Sequence, residues 1–478
     1  VQDEKMPRVG VLVVAYNAEA TLEKTLDRLP PSFVTKVDHV LVSDDASTDA
    51  TYEVSLRYQQ NTTIPITVMK HEKNLGYGGN QKVGYRWAID RGLDVVVLLH
   101  GDGQYAPEVI ESLIEPAARG EADAVFGTRM MVPGDARSGG MPLYKYVGNR
   151  VLTRFQNTLS GMSLTEWHSG YRVYRTDALA NIDFESYSDG FDFDTQIILG
   201  LHGAGMSVVE VPIPTYYGDE ICYVNGMKYA RQVSTEVVKY RLGGIGLGGG
   251  RTGVDHDAYE LKYSDHSSHG VLLSWLAEQP AARVLDIGCS DGQFGALVGR
   301  LGHEVVGVDL VKHPDVGDRL DGFVEADLNQ GLPAEVGSDY DVIVAADVLE
   351  HVIDPAQLLE QMIARLGPDG RLMVSVPNVS HWYPRLRIAS GNFGYDQRGP
   401  LDQGHVRFFT RRTLRRMLRE AGLRPVRTRV VGTPVDTIAV RGRLPRLLLR
   451  WAAAVDRRAT RVWPTMFGYQ FLQELERA

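Results

Sequence analysis

The chain has 478 residues, 44% of them hydrophobic and 23% charged, with a net charge of −9 at neutral pH. That length exceeds what one core usually supports, so two domains are expected, and the composition excludes a disordered or fibrous chain. No apolar run is long enough to span a bilayer, and the two cysteines, Cys222 and Cys289, give neither a disulfide framework nor a zinc spacing. The opening Val-Gln-Asp-Glu-Lys has no signal-peptide pattern, so a reducing cytoplasmic setting is expected.

Gly10–Ala15 reads as a buried strand, with Tyr16 and Asn17 at its carboxyl end and a helix over Glu19–Leu29. His39–Ser43 is a second strand, followed at once by Asp44-Asp45-Ala46-Ser47-Thr48-Asp49. Ile66–Lys70 is a third, followed by Asn74-Leu75-Gly76-Tyr77-Gly78-Gly79-Asn80 and a helix to Asp90. A fourth, Val95–Leu99, stops at His100-Gly101-Asp102-Gly103-Gln104. Strands alternating with helices predict an α/β domain with a parallel sheet, and such sheets bind ligands beyond the carboxyl ends of their strands. Tyr16-Asn17, Asp44-Asp45 and Asp102-Gln104 therefore share one edge. A carboxylate delivered there suits Mg2+ or Mn2+ on a phosphorylated ligand, because these cations take oxygen donors and leave room for phosphate oxygens. For any one cluster alone, an ordinary Asp-Gly turn is the alternative. Gly76, Gly78 and Gly79 let a backbone come close to a ligand. They follow no first strand, as a dinucleotide fingerprint would, and no Gly-Lys-Ser/Thr closes them into a P-loop.

Taken together, Ala15-Tyr16-Asn17, the run from Asp44 to Asp49, the run from Asn74 to Asn80 and His100-Gly-Asp-Gly-Gln104 resemble an inverting family-2 glycosyltransferase of GT-A fold. The likeness is nearest to dolichol- and polyprenyl-phosphate sugar transferases and covers about residues 8–230. It implies a UDP- or GDP-sugar donor and a polyprenyl-phosphate or glycan acceptor. Tyr16, Asn17, Gly76 and Gly79 would then surround the nucleotide, Asp45 would bind its base, and Asp102 would hold Mg2+ or Mn2+ with help from Gln104 and His100. His100 stands where the family usually has Asp; His ligates Mn2+ but suits Mg2+ less well.

Further on, Phe126-Gly127-Thr128-Arg129 resembles the family's Gly-Ser-Arg segment, where Arg129 would grip phosphate with two prongs; a structural Arg is the alternative. Residues 130–145, rich in Gly and Pro, are expected to form a mobile loop of the kind that closes over sugar donors. Leu164–Arg172 resembles Asp-x-x-Ser-Gly-Phe/Tyr-Arg, with Glu166 in place of Asp. Glu166 is the candidate base for a hydroxyl acceptor, whereas a phosphate acceptor is already ionised and Glu166 would only position it. His168 is the rival base, read as a local hydrogen-bonder. Asp192 and Asp194 start a helical run and are expected to be caps. Tyr216–Glu220 and Lys228 follow a Val-Pro-Ile-Pro strand, with Lys228 either at a phosphate or solvated.

Leu242–Gly250 is Gly-rich and cannot hold a helix. It sets the expected boundaries: a first domain to 241, a linker over 242–255, a second domain over 256–441 and a tail over 442–478. Strand and helix then alternate again. Arg283–Ile287 runs into Asp286-Ile287-Gly288-Cys289-Ser290-Asp291-Gly292, with a helix near Phe294. Glu304–Val308 ends at Asp309, 23 positions after Asp286, the spacing at which an acid meets a ribose. This points to a nucleoside cofactor, and Ser290 breaks the three-glycine dinucleotide pattern.

Val284–Gly292, Gly307-Val308-Asp309, Ala326-Asp327-Leu328 and Tyr340–Val352 resemble a class I methyltransferase of the ubiquinone type, over about residues 256–440. The resemblance implies a Rossmann-like fold that binds S-adenosylmethionine. Asp286, Gly288, Ser290 and Gly292 would cradle its methionine end, Asp309 its ribose and Asp327 its adenine, with Asp347 facing the methyl group. His351 and His405 are the candidates to take a proton from a sugar hydroxyl, a structural role being the alternative for each. No groove lined by Arg and Lys surrounds these motifs, which argues against a nucleic-acid substrate.

From Arg407 onward, 17 arginines stand against five acids. Leu444–Val455 and Trp463–Leu475 read as one or two basic amphipathic helices. Peripheral attachment to the inner face of the membrane is one account of them; packing between domains or in a homo-oligomer is the other. The whole chain reads as bifunctional, transferring a sugar from a nucleotide-sugar and a methyl group to a small-molecule or sugar hydroxyl of the same pathway. A second reading keeps the first half catalytic and makes the second a cofactor-binding or docking module. A third, a scaffold with decayed sites, has only His100 and Ser290 in its favour.

Overall fold

The computed structural model describes residues 7–216, 225–244, 267–396, 398–433 and 446–478. They divide into two compact units, the first closing at Arg241 and the second holding every described residue from Ser267 on.

The first unit is built on a seven-stranded sheet: β1 (Val9–Ala15), β2 (His39–Asp44), β3 (Ile66–Lys70), β4 (Val95–His100), β5 (Ala124–Thr128), β6 (Arg172–Arg175) and β7 (Val208–Pro212), in the order β3-β2-β1-β4-β6-β5-β7. The expected parallel pairing holds for β3, β2, β1 and β4, and β7 runs parallel to β5. The exception is β6, antiparallel to both β4 and β5. Strands covered on both faces need apolar residues at nearly every position. Val9, Val11 and Val13 of β1 and Val95, Val97 and Leu99 of β4 enter one core, and Leu12, Val96 and Leu98 enter the other. The register sets Ala15 beside Asp44 and Val14 beside His100, so the tips of β1, β2 and β4 are level.

Four expectations are corrected here. The first helix spans only Leu22–Asp27: the Ala18 and Glu19 N–H groups donate to the Thr51 hydroxyl and Asp49 instead, and Pro30 and Pro31 block its other end. The Gly-rich run is not a loop ahead of a helix but the first turn of the helix Gly76–Asp90. Within 130–145, Asp135–Ser138 forms one helical turn and Leu143 already begins the helix Leu143–Ser160. Leu242 and Gly243, placed in the linker, finish the helix Gly226–Gly243. Residues 245–255 of the expected linker lie outside the described residues, as do 217–220 and Cys222.

The second unit has its own seven-stranded sheet: β8 (Arg283–Ile287), β9 (Glu304–Asp309), β10 (Gly322–Glu325), β11 (Tyr340–Ala346), β12 (Leu366–Pro377), β13 (Leu423–Val431) and β14 (Gln470–Arg477), in the order β10-β9-β8-β11-β12-β14-β13. The first five are parallel, and β14 is inserted antiparallel between β12 and β13.

This placement corrects the reading of the tail. Arg446–Val462 is helical, but after one turn at Pro464–Phe467 the chain becomes β14 rather than a second amphipathic helix. Gln473 and Glu474, which look like the polar side of a helix, are buried, with Glu474 held by Arg371 at 2.6 Å and Arg427 at 3.0 Å. Phe471 and Leu475 enter one core of the sheet and Leu472 the other, the alternation of a strand covered on both faces. No helix among the described residues is long and apolar enough to cross a membrane.

Candidate active sites

Among the described residues, five that are not glycine take a left-handed backbone: Asn17, Ala46, Ser290, Asp339 and Asp347. Four of them stand within three residues of the carboxyl ends of β1, β2, β8 and β11. Such a conformation costs about 1 kcal/mol or more per residue. It is concentrated at the two edges where ligands of α/β sheets bind.

At the first edge, the Asn17 side-chain oxygen accepts the Thr48 N–H and the Asn17 N–H donates to the Ser47 hydroxyl, both at 2.9 Å. These bonds lace the loop after β1 to the loop after β2, with the Tyr16 ring exposed beside them. Asp44 accepts the N–H and hydroxyl of Ser47 and faces Lys70 at 3.9 Å. Asp45 is buried and caps the neighbouring helix, one oxygen accepting the Leu75 N–H at 2.7 Å and the other the Gly76 N–H at 3.1 Å. Burial pushes its carboxyl above the ordinary range. The glycines admit protein rather than ligand. A Cβ on Gly76 would lie 2.6 Å from the Asp189 carbonyl oxygen, one on Gly78 2.5 Å from that of Ser188, and one on Gly79 2.9 Å from Leu75 Cβ.

Asp102 is exposed past the tip of β4, one oxygen accepting the Gln104 N–H at 3.0 Å. An open carboxylate fits Mg2+ or Mn2+ when phosphate oxygens complete the donor set. His100 is committed elsewhere. Its ring is enclosed edge-on by Tyr77 and Tyr105, with centroids 5.7 and 5.1 Å away. Its Nε2 lies 3.4 Å from the Tyr77 hydroxyl, and burial favours the neutral ring.

The structure pairs Arg129 and Glu166, expected as separate reagents, with each other. Glu166 is 2% exposed and accepts the Arg129 backbone N–H at 2.7 Å, its Nε at 3.2 Å, its Nη2, and the Asn149 amide at 2.8 Å. Burial opposes the charge on Glu166, but Arg129 outweighs it and holds the carboxyl below its ordinary range. A carboxylate held in this way is a weak base. His168 bonds the Tyr229 hydroxyl at 2.8 Å through Nδ1, and burial lowers its pKa to about 4.

Sequence reasoning missed the network that fixes this wall. Arg172 stands beside Leu98 through the antiparallel pairing of β6 with β4. It is 1% exposed, donates to the carbonyls of Ser169 and Trp167 at 2.8 and 3.0 Å, and lies 3.5 Å from Asp194. Asp194, read as a cap, also accepts the Tyr77 hydroxyl at 2.9 Å, and the Tyr105 hydroxyl accepts the Gly170 N–H at 2.6 Å. The signal available was an Arg directly after Ser-Gly-Tyr, at the start of the strand Arg172–Arg175.

At the second edge, Gly288, Ser290 and Gly292 all have positive φ, which turns the chain sharply between β8 and the helix Gln293–Arg300. A Cβ on Gly288 would lie 2.7 Å from Val348. The Ser290 N–H donates to Asp309 at 2.7 Å, tying the tip of β8 to that of β9. The Asp286 Oδ2 atom is buried without a hydrogen-bond partner, and burial with the nearby Asp309 raises its carboxyl to about 7. An orphaned carboxylate oxygen beneath a glycine cradle fits a cationic, nucleoside-bearing ligand such as S-adenosylmethionine. Asp327 lies on a turn, accepting from Asn329 and Gln330. Asp347 is held by the Ser375 hydroxyl and the Gln470 amide, both at 2.7 Å, so β14 supports the edge of the site. His351 and His405 come together, ring centroids 4.8 Å apart, and burial with the facing His351 lowers His405 to about 4.

Residues 10–182 match the family described as Glycosyl transferase family 2, and residues 264–428 match one described as Methyltransferase domain. The undecaprenyl-phosphate mannosyltransferase of Micrococcus luteus is 34% identical over 43% of this chain and 82% of its own length. The chain is a family 2 glycosyltransferase joined to a methyltransferase. The UDP-N-acetylglucosamine–dolichyl-phosphate N-acetylglucosaminyltransferase of Methanococcus voltae is 27% identical to the glycosyltransferase half, over 44% of this chain and 86% of its own. The ubiquinone biosynthesis O-methyltransferase of Aeromonas salmonicida is 30% identical to the methyltransferase half, over 33% of this chain and 71% of its own. Both halves of this glycosyltransferase–methyltransferase are thus α/β transferase folds, GT-A first and methyltransferase second.

Proposed function

We propose that the glycosyltransferase half transfers a sugar, with inversion, from a UDP- or GDP-sugar to a polyprenyl phosphate. The methyltransferase half transfers a methyl group from S-adenosylmethionine to a small-molecule or sugar hydroxyl of the same pathway. The boundary between them falls within residues 242–255.

The choice of acceptor rests on the Arg129–Glu166 pair. A hydroxyl acceptor needs a base in hydrogen-bond reach, and Glu166 is held ionised with both oxygens engaged. A phosphate acceptor is already ionised and needs none. The relatives named for undecaprenyl and dolichyl phosphate support the same acceptor.

In this reading Asp102 and Gln104 hold Mg2+ or Mn2+, which supplies charge to the leaving diphosphate. Tyr16 and Asn17 border the nucleotide, while Asp45, Gly76 and Gly79 fix the wall beside it. At the second edge Asp286 faces the methionine end of the methyl donor, Asp309 its ribose and Asp327 its adenine. Gly288, Ser290 and Gly292 shape the turn, Asp347 supports it, and His351 and His405 stand on the acceptor's side. The helix Arg446–Val462 exposes Trp451, Val455 and Val462, with Trp463 just beyond. Exposed aromatic and apolar side chains among arginines support peripheral contact with an anionic membrane.

The test is a screen of UDP- and GDP-sugars with Mn2+ and undecaprenyl phosphate, scored by release of nucleoside diphosphate. Release that depends on the lipid phosphate supports the reading, and release with a glycan hydroxyl alone rejects it.

A further inference from the structure

We propose that the second unit holds a divalent cation of the Mn2+, Co2+ or Zn2+ kind on Glu350, His351 and His405. The inference rests on reading this unit as the methyl-transferring half. Ligand atoms of the three residues lie within 4.8 Å of one another, and no other group of three or more such side chains gathers this way among the described residues. Bonds of about 2.0–2.2 Å to one ion place its ligands roughly 3–4 Å apart, so a small closing movement brings all three onto it. Two imidazoles with one carboxylate suit a borderline cation, whereas Mg2+ and Ca2+ favour oxygen-only sets.

The cluster is built by the fold. The N–H groups of Val406 and Arg407 both donate to the Glu350 carbonyl at 2.9 Å. This pins the loop that carries His405 beside the turn following β11. Glu350 is 1% exposed and His405 8%, while His351 is exposed. Nδ1 of His351 lies 3.0 Å from the Gly404 carbonyl. Donating there places the ring proton on Nδ1 and leaves Nε2 as the ligand atom, the outer-shell arrangement that orients metal-bound histidines. Three protein ligands leave coordination positions open, and the exposed side of His351 makes them reachable from solvent. A cation at this point would anchor an acceptor oxygen near Asp347, at the tip of the strand that faces the methyl donor.

Cobalt(II) chloride, titrated into the full chain and followed by its visible absorption, tests the site. The histidine-ligated band is expected in the wild type and equally in Asp102→Asn, which removes the open carboxylate of the first unit. It is expected to weaken at least tenfold in affinity in His351→Gln and in His405→Gln. His351 is exposed, so His351→Gln leaves the fold intact, and a thermal melt checks both variants. An unchanged titration in both histidine variants, or a band lost in Asp102→Asn alone, overturns the proposal. Calorimetry with S-adenosylmethionine on the same samples separates the two readings: absence of its binding with the cobalt band intact removes the methyltransferase reading and leaves the metal site standing.

Discussion

Replacing Glu166 with Gln keeps the shape of the side chain and removes its charge. Arg129, 7% exposed, would then face a neutral amide in place of a carboxylate that now takes its backbone N–H at 2.7 Å, its Nε at 3.2 Å and its Nη2. Breaking a buried ion pair from one side costs about 3–5 kcal/mol. In a unit of this size each kcal/mol moves the melting temperature by about 2–4 °C, so the first unit should melt roughly 6–20 °C lower. Scanning calorimetry of the full chain reads this directly, and S-adenosylmethionine, which should raise only the second unit's transition if it binds there as proposed, identifies which one moved. Sugar transfer to undecaprenyl phosphate, measured well below the transition, should stay within about tenfold of the wild type, whereas loss of a general base costs about 10²–10⁴-fold. The sign with pH follows from the depressed carboxyl of Glu166. The pair's contribution is present above the ordinary carboxylate range and is lost as pH falls through the lower folded value, so the variant should lose that part of the acid sensitivity. A melting temperature within 2 °C of the wild type together with a hundredfold loss of transfer would refute the reasoning and restore Glu166 as a base.

Asp102→Ala should abolish sugar transfer and donor hydrolysis while methyl transfer continues; equal loss of both activities would contradict two separate sites. Asp286 is raised to about 7 by burial and Asp309, so the folded chain keeps a proton that the unfolded chain releases above its ordinary carboxylate range. The second unit should therefore lose stability as pH rises from about 4 to about 7, and Asp286→Asn should flatten that slope in a melting series; an equally steep slope would speak against it. A chain ending at Phe467 lacks β14 and should lose both the second unit's transition and S-adenosylmethionine binding, so retained binding would contradict the sheet order. Trp451→Ser with Trp463→Ser should reduce sedimentation with anionic vesicles at least several-fold, and unchanged sedimentation would retire the membrane contact.

Much of this was legible in the sequence because parallel strands buried on both faces leave long apolar runs, and β1, β2, β4, β8, β9 and β11 all end at the polar residues expected there. Long-range partners were not legible. Nothing local in Glu166 says that Arg129 encloses it, since 37 residues separate them and β5 brings them together. Gly76 and Gly79 signalled a close approach, but the chain itself, not a ligand, fills the space. Gln473 and Glu474 suggested a solvated helix face because burial by Arg371 and Arg427 depends on strands about 100 and 50 residues earlier in the chain. Arg172 went unweighed because its place beside β4 depends on an antiparallel return that alternation alone does not predict.

The most direct measurement is calorimetric titration of one sample with S-adenosylmethionine and with the Mn2+ complex of the donor that the screen selects. One site per chain for each ligand, each still binding when the other is saturating, is the predicted result. Competition between the two ligands, or failure of either to bind a folded chain, would contradict it.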